Sequence, residues 1–129
     1  MAGWDDVRRI ALALPETSER RSRDLPQWRV RDRVFVWERP LRRKDVAALG
    51  DDVPHGSILG AHVEHLVAKE ALLADDPSTF FTTPHFDGYP AVLVRLDAIG
   101  VEDLHEIIVE GWLVRAPKRL AKEYADTLL

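Results

Sequence analysis

The feature that most constrains the fold is a short apolar run near position 93. Ala91-Val92-Leu93-Val94-Arg95-Leu96 is rich in residues that favour β-structure, and its apolar side chains occupy successive positions. Side chains alternate between the two faces of a strand, so both faces of this one are apolar. A strand of that kind lies inside a sheet. The chain therefore has to supply neighbouring strands.

Hydrophobic periods predict the other elements. Residues 5–14 have a helical period, with Asp5 and Asp6 in the first turn, and Pro15 ends the helix. Two β-rich runs, 28–30 and 34–37, flank Arg31-Asp32 and predict a hairpin. The segments that follow are a short helix near 45–49, a strand over 58–63, a helix over 65–74 and a long loop over 75–90.

The C-terminal quarter is helical by pattern. Leu104 and Ile108 belong to an apolar stripe of helical period over 101–116, and Pro117 suits the first turn of a final helix. A helix, then several strands, then helices indicate an α+β fold. We expect an antiparallel β-sheet with the N- and C-terminal helices packed on one face, in two layers.

Length and composition limit the class of protein. A chain of 129 residues with 46% hydrophobic and 31% charged residues is typical of one globular domain, so we expect a single domain over 1–129. No run approaches the roughly 18 apolar residues of a membrane span. The chain contains no cysteine, and its first residues do not resemble a secretory signal. These features favour a cytoplasmic protein with no membrane partner.

Signatures of catalysis and cofactor binding are missing from the sequence. There is no phosphate-binding loop and no G-x-G-x-x-G motif, and Ser57 is wrongly placed for a G-x-S-x-G nucleophile turn. His62-Val63-Glu64-His65 is the densest histidine group, but it lacks the i, i+4 spacing of a zinc-protease helix. We therefore expect a binding module rather than an enzyme, with no catalytic residue, cofactor or metal.

Charge is distributed unevenly along the chain. Residues 20–44 contain ten Lys and Arg but three acidic residues, a net charge of +7, whereas the remaining residues carry −11. Arginine can grip a phosphate with two parallel hydrogen bonds, so a basic hairpin can contact the backbone of duplex DNA. The residues that we expect to contact nucleic acid in this way are Arg29, Arg31, Arg33, Arg39, Arg42, Arg43 and Lys44. The alternative is that these cations form ion pairs within the chain.

A second segment suggests a different ligand. The loop 80–90 concentrates four aromatic residues, which could wall a small pocket or simply pack beneath the loop. In this alternative the chain is a small-ligand or protein-interaction module. Its candidate ligand-binding residues are His85, Asp87, Tyr89, Trp112 and Lys118. We also expect Trp112 to pack where the last two helices meet.

Several segments together resemble a known family. They are Leu14-Pro15-Glu16-Thr17, the hairpin Trp28-Arg29-Val30-Arg31-Asp32-Arg33-Val34-Phe35, the segment from Glu70 to Pro77 with Phe80-Phe81, Val94-Arg95-Leu96-Asp97, Trp112, and Ala116-Pro117-Lys118-Arg119-Leu120-Ala121. In order and spacing they are similar to the MmcQ/YjbR-like family of small bacterial proteins, often labelled DNA-binding.

The resemblance carries expectations about fold and function. It implies a double-wing or CyaY-like fold, an antiparallel sheet with helices on one side, and a DNA-binding role without catalytic residues. The chain departs from the family at Gly60-Ala61-His62, where a lysine-containing stretch is common. A basic surface that depends on that strand would be weaker here.

Overall fold

The computed structural model describes residues 2–54 and 56–127. In that part of the chain the elements follow in the order α1 (Trp4–Leu12), β1 (Thr17–Ser22), β2 (Leu25–Val30), β3 (Arg33–Glu38), α2 (Arg43–Leu49), β4 (Ile58–His62), α3 (Leu66–Asp75), β5 (Phe80–Phe81), β6 (Ala91–Arg95), α4 (Val101–Arg115) and α5 (Lys118–Thr127). Short 3-10 helices lie at Gly50–Asp52 and Pro84–Phe86.

The described strands form one sheet in the order β1-β2-β3-β4-β6-β5, and every neighbouring pair is antiparallel. The expected α+β class is confirmed. Strand β6 is paired on both sides, and Leu93 at its centre is buried. The apolar run that predicted an internal strand therefore occupies one.

The terminal helices cover one face of the sheet. Helices α1 and α4 contact each other and the sheet, and α5 packs on α4. Helix α4 approaches the sheet closely at Gly111, where a Cβ atom would lie 3.0 Å from the backbone oxygen of Phe35. Leu104 and Ile108 of α4 are buried in this core with Trp28 of β2. The predicted packing of these helices on one face is confirmed.

An extra residue in β3 changes which side chains face the helices. Trp28 lies opposite Val36 and Arg29 lies opposite Val34, so Phe35 has no partner across the hairpin. A bulge of this kind disturbs the alternation of side chains. Phe35 and Val36 are consecutive, yet both are buried in the helix-side core. Trp37 then lies on the opposite face of the sheet, across from Gly60.

That opposite face is covered over only part of its width. A second, smaller core packs there around Ile58, Phe86 and Leu93, with Trp37 partly buried against it. Within the described residues, the side chains of β1 to β3 on this face are partly or fully exposed, and several of them line surface depressions. We call the surface of β1 to β4 opposite α1 and α4 the open face.

Two strands were not predicted. Strand β1 has the polar sequence Thr-Ser-Glu-Arg-Arg-Ser and begins two residues after Pro15. Strand β5 is two residues long and lies within the predicted loop 75–90. No helix in the described part of the chain is both long and apolar enough to cross a bilayer.

Candidate ligand-binding face

The pairing of the strands places polar and aromatic side chains in one row across the open face. Arg20 lies opposite Gln27, Gln27 lies opposite Trp37, and Trp37 lies opposite Gly60. Directly opposed residues of antiparallel strands project to the same side of a sheet. This row therefore brings a cation, an amide and an indole together on adjacent strands.

Three adjoining depressions extend this row beyond the strands. The aromatic depression, of about 390 Å³, is lined by Gln27, Val34, Trp37, His62, His85, Phe86 and Tyr89. A middle depression, also about 390 Å³, is lined by residues that include Arg23, Gln27, Trp37, Arg42 and His85. The basic depression, of about 630 Å³, is lined by Arg39, Arg42, Arg43, Lys44, Asp45, Pro84 and His85. His85 lines all three, so the depressions adjoin one another at this residue, and together we call them the band.

Trp37 lies between the aromatic and middle depressions, and its indole ring packs directly on Gly60. A Cβ atom at Gly60 would lie 2.3 Å from Cε2 of the indole ring. The ring therefore rests directly against the backbone of β4, which no other residue at position 60 would allow without moving it. The indole takes part in the lining of both depressions.

His62 lies at the inner side of the aromatic depression. Its ring centroid is 5.2 Å from that of Trp37 and 5.7 Å from that of Tyr89. Burial, together with the positive charges of Arg115 and Arg33, lowers the pKa of His62 to about 4. The imidazole is therefore neutral near pH 7, with one nitrogen that donates a hydrogen bond and one that accepts.

A buried lysine holds the loop that carries the other aromatic rings. The Lys69 ammonium on α3 donates hydrogen bonds to the backbone oxygens of Phe86, at 2.6 Å, and Tyr89, at 3.0 Å. Burial lowers the pKa of Lys69, and the charge of Asp87 partly opposes that shift. These contacts fix the loop against α3 and keep the ring of Tyr89 beside His62.

A buried ion pair joins two of the residues that line the basic depression. Arg39 Nη2 lies 3.1 Å from Asp45 Oδ2, with side chains only 7% and 4% exposed. Burial would raise the pKa of Asp45, but the backbone N–H of Arg42, at 2.8 Å, and the charge of Arg39 outweigh it and leave the pKa below its usual value. The Arg39 guanidinium also lies 5.3 Å from the centre of the Phe86 ring.

The seven expected phosphate-binding residues separate into two groups. Arg39 is buried in its ion pair with Asp45, which leaves its guanidinium little exposed surface for a phosphate. Arg31 pairs with Glu16 at 2.9 Å, and Arg33 donates to the backbone oxygen of Arg115. Within the described residues, the others form no ion pair with an acidic side chain; they are Arg29, Arg42, Arg43 and Lys44.

The alternative ligand set is also divided. His85 and Tyr89 line the aromatic depression, and Asp87 is exposed in the loop between them. Trp112 is fully buried on the helix side, so its side chain has no exposed surface for a ligand. It packs against Tyr124 of α5, which confirms its expected position where the last two helices meet. Lys118 begins α5, which packs on α4 and not on the open face.

Sequence reasoning missed the residues that join these groups. Trp37 is the last residue of the β-rich run 34–37, and His62 belongs to the densest histidine group and to the segment that departs from the family. Gln27 carries no recognised signal, and Gly60 is notable in the sequence only as part of that segment. Among the residues that the structure describes, no three His, Asp or Glu side chains cluster in a way that could hold a metal ion.

The pKa of His62 predicts a pH dependence of stability. The unfolded chain, with a histidine pKa of about 6.5, binds a proton that the folded chain excludes until the pH reaches about 4. The free energy of unfolding should therefore fall by on the order of 2–3 kcal/mol as the pH drops through this window. Urea denaturation between those pH values measures it.

His62→Asn should remove most of this pH dependence. His105→Asn, at an exposed position on α4, is the matched control and should leave it in place. An unchanged pH profile in His62→Asn would show that His62 is not the group that titrates.

The fold and the open face define a class: a small α+β domain whose antiparallel sheet is covered by helices on one side and carries a grooved, arginine- and aromatic-bearing surface on the other. The chain belongs to the YjbR family, whose model matches residues 12–114.

Relatives and a solved structure agree with this assignment. Uncharacterised proteins of Mycobacterium tuberculosis and Mycobacterium bovis are 52% identical over 127 residues, which cover 96% of this chain and 96% of theirs. The crystal structure of a Deinococcus radiodurans protein with domain DUF419 has a TM-score of 0.69. At 20% identity, over 97% of this chain and 89% of that one, it shows the same fold.

Proposed function

We propose that this protein is a non-catalytic domain that binds nucleic acid on the open face of its sheet. The basic depression contacts phosphates, and the aromatic and middle depressions accommodate the rest of the ligand. The observation that carries the proposal is that the three depressions adjoin one another at His85. It unites on one surface the two segments that the sequence offered as alternatives.

The cations of the band are suited to phosphate. Arg42, Arg43 and Lys44 line the basic depression and are exposed. Arg20 and Arg29 lie outside the depressions, on strands β1 and β2 of the open face. Protein surfaces that bind nucleic acid commonly combine arginine side chains with aromatic rings. The guanidinium groups bind the phosphate backbone, and the rings stack on bases. The proposal thus moves the contacts from the hairpin tip, where Arg31 and Arg33 have partners within the chain, to the open face.

The rest of the molecule limits the affinity. Outside residues 20–44 the chain carries a net charge of −11, which repels a polyanion from other surfaces. Binding that depends mainly on phosphate contacts is weak at physiological salt, with dissociation constants of about 10⁻⁴–10⁻⁶ M. We expect affinities in that range.

Salt dependence tests the phosphate contacts. Each neutralised phosphate contributes a slope of about −0.7 for single strands or −0.9 for duplexes to log K against log salt. If three or four of Arg29, Arg42, Arg43 and Lys44 engage, the slope should be roughly −2 to −3.5. Titration of fluorescently labelled DNA between about 50 and 200 mM salt measures it.

Variants locate the contacts. Arg42→Ala with Arg43→Ala should reduce the magnitude of the slope by about 1.4 to 1.8. The matched control is Arg119→Ala with Lys122→Ala, which removes the same charge from exposed positions on α5. That pair should leave the slope unchanged. Absence of binding at about 50 mM salt, or an equal effect of both pairs, would contradict the proposal.

A further inference from the structure

We propose that the aromatic depression receives a single unpaired nucleobase, so that the ligand of the open face is single-stranded nucleic acid. This inference rests on the proposed function, because the phosphates next to that base must reach the basic depression. Neither the family match nor the relatives' descriptions bear on strandedness.

Four of the aromatic rings that line the depression form a set in which each ring lies beside two of the others. Trp37 adjoins His62 and Phe86, and Tyr89 adjoins the same two rings, with centroids 5.2 to 6.4 Å apart. His62 and Phe86 are buried, while Tyr89 is 45% exposed. The set therefore has a buried floor with accessible rings at its margin, which is an arrangement on which a planar base can stack.

Polar groups at the margin can engage the edge of a base. Arg29 Nε donates to Gln27 Oε1 at 2.7 Å, which leaves the Gln27 amide N–H groups to donate to a base carbonyl. The volume of about 390 Å³ falls within the range of roughly 300–1,000 Å³ for small-molecule pockets. A base with carbonyl groups, such as thymine, fits these donors.

Duplex DNA does not present a base in this way. A paired base lies within the stack and reaches a protein pocket only after the cost of unstacking and unpairing. In a single strand the base is free to turn toward the rings while the backbone continues past His85, which lines both the aromatic and the basic depression. The geometry therefore favours a single strand over a duplex of equal length.

The test compares strands of equal charge. Thymidine oligonucleotides of about ten nucleotides are titrated against abasic strands of the same length and against duplex, all at about 50 mM salt. We expect the thymidine strand to bind about 10-fold more tightly than the abasic strand. Tyr89→Ala should remove at least about 5-fold of this preference and leave binding of the abasic strand unchanged.

Two further variants separate the base contact from the phosphate contact. Gly60→Ala displaces the Trp37 indole without removing a ring or a charge, and should also reduce the preference for thymidine. Leu113→Ala, at an exposed position of α4, is the control and should bind both strands as the native chain does. Thermal unfolding confirms that each variant is folded.

The outcomes distinguish the two proposals. Equal affinity of the native chain for the thymidine and abasic strands, with a clear salt slope, would overturn the base pocket and leave phosphate binding intact. Tighter binding of duplex than of the thymidine strand would also overturn it. No binding of any strand would remove the proposed function, and this inference with it.

Discussion

Truncation of Trp112 to alanine is expected to lower the free energy of unfolding by about 3–5 kcal/mol. The indole is fully buried between α4 and α5, with its ring centroid 4.9 Å from that of Tyr124. Its Nε1–H donates a hydrogen bond to the backbone oxygen of Pro15 at 3.1 Å, at the turn between α1 and β1. One side chain thus joins the two C-terminal helices to a turn about 100 residues earlier in the chain, and its loss leaves a cavity among them. The loss would be a large share of the total stability of a domain of this size.

Urea denaturation at neutral pH measures this effect. Leu113→Ala is the matched control, because Leu113 is the next residue of α4 and is 37% exposed; it should cost less than about 1 kcal/mol. Trp112→Phe preserves much of the packing but leaves the Pro15 oxygen without its donor, so it should cost about 1–3 kcal/mol. A native midpoint for Trp112→Ala would show that the side chain does not support the core.

Replacement of Asp45 by alanine should cost a similar amount, about 3–5 kcal/mol. The change leaves the Arg39 guanidinium buried without its counterion, and it removes the acceptor of the Arg42 backbone N–H. An uncompensated buried charge is far more costly than the pair itself is stabilising. The shift of the urea midpoint measures the loss.

The double variant Arg39→Met with Asp45→Leu checks the reason for this effect. It removes both charges together, so it should recover much of the stability lost in Asp45→Ala. Lys44→Ala is the control at the neighbouring exposed position and should lie within about 0.5 kcal/mol of the native chain. If Asp45→Ala and Lys44→Ala behave alike, the ion pair does not stabilise the fold.

Much of the fold follows from patterns that span a few residues. The apolar run at 91–96 and the helical stripe at 101–116 both predict elements that the structure contains, since burial on one or two faces leaves a period in the sequence. Strand β1 leaves no such period. Its inward side chain Glu19 is polar and is satisfied by Arg8 and by the Trp28 indole, partners that only the folded chain supplies.

The candidate site was predictable only in part, because residues that are close in sequence need not lie on the same surface of the folded chain. Arg29 and Arg31 are two residues apart, yet Arg31 adopts a positive φ of 54° in the turn and pairs with Glu16. The bulge at Phe35 shifts the alternation of side chains along β3. Strict alternation would have placed Trp37 on the face covered by the helices. Contacts such as those of Trp37 with Gly60, or of Lys69 with the loop at 86–89, depend on tertiary packing and leave no local signal.

The outermost position of β1 also affects how the molecule behaves at high concentration. A six-residue strand at the rim of a sheet offers its free backbone groups to any second chain, and flat apolar rims of this kind lead to aggregation. Here the rim carries the exposed charged side chains of Arg20 and Arg21. Pairing with another copy would bring like charges together and remove them from water. The polar sequence of β1 leaves no hydrophobic period from which the strand could be predicted. The same polarity disfavours strand pairing between two copies of the chain.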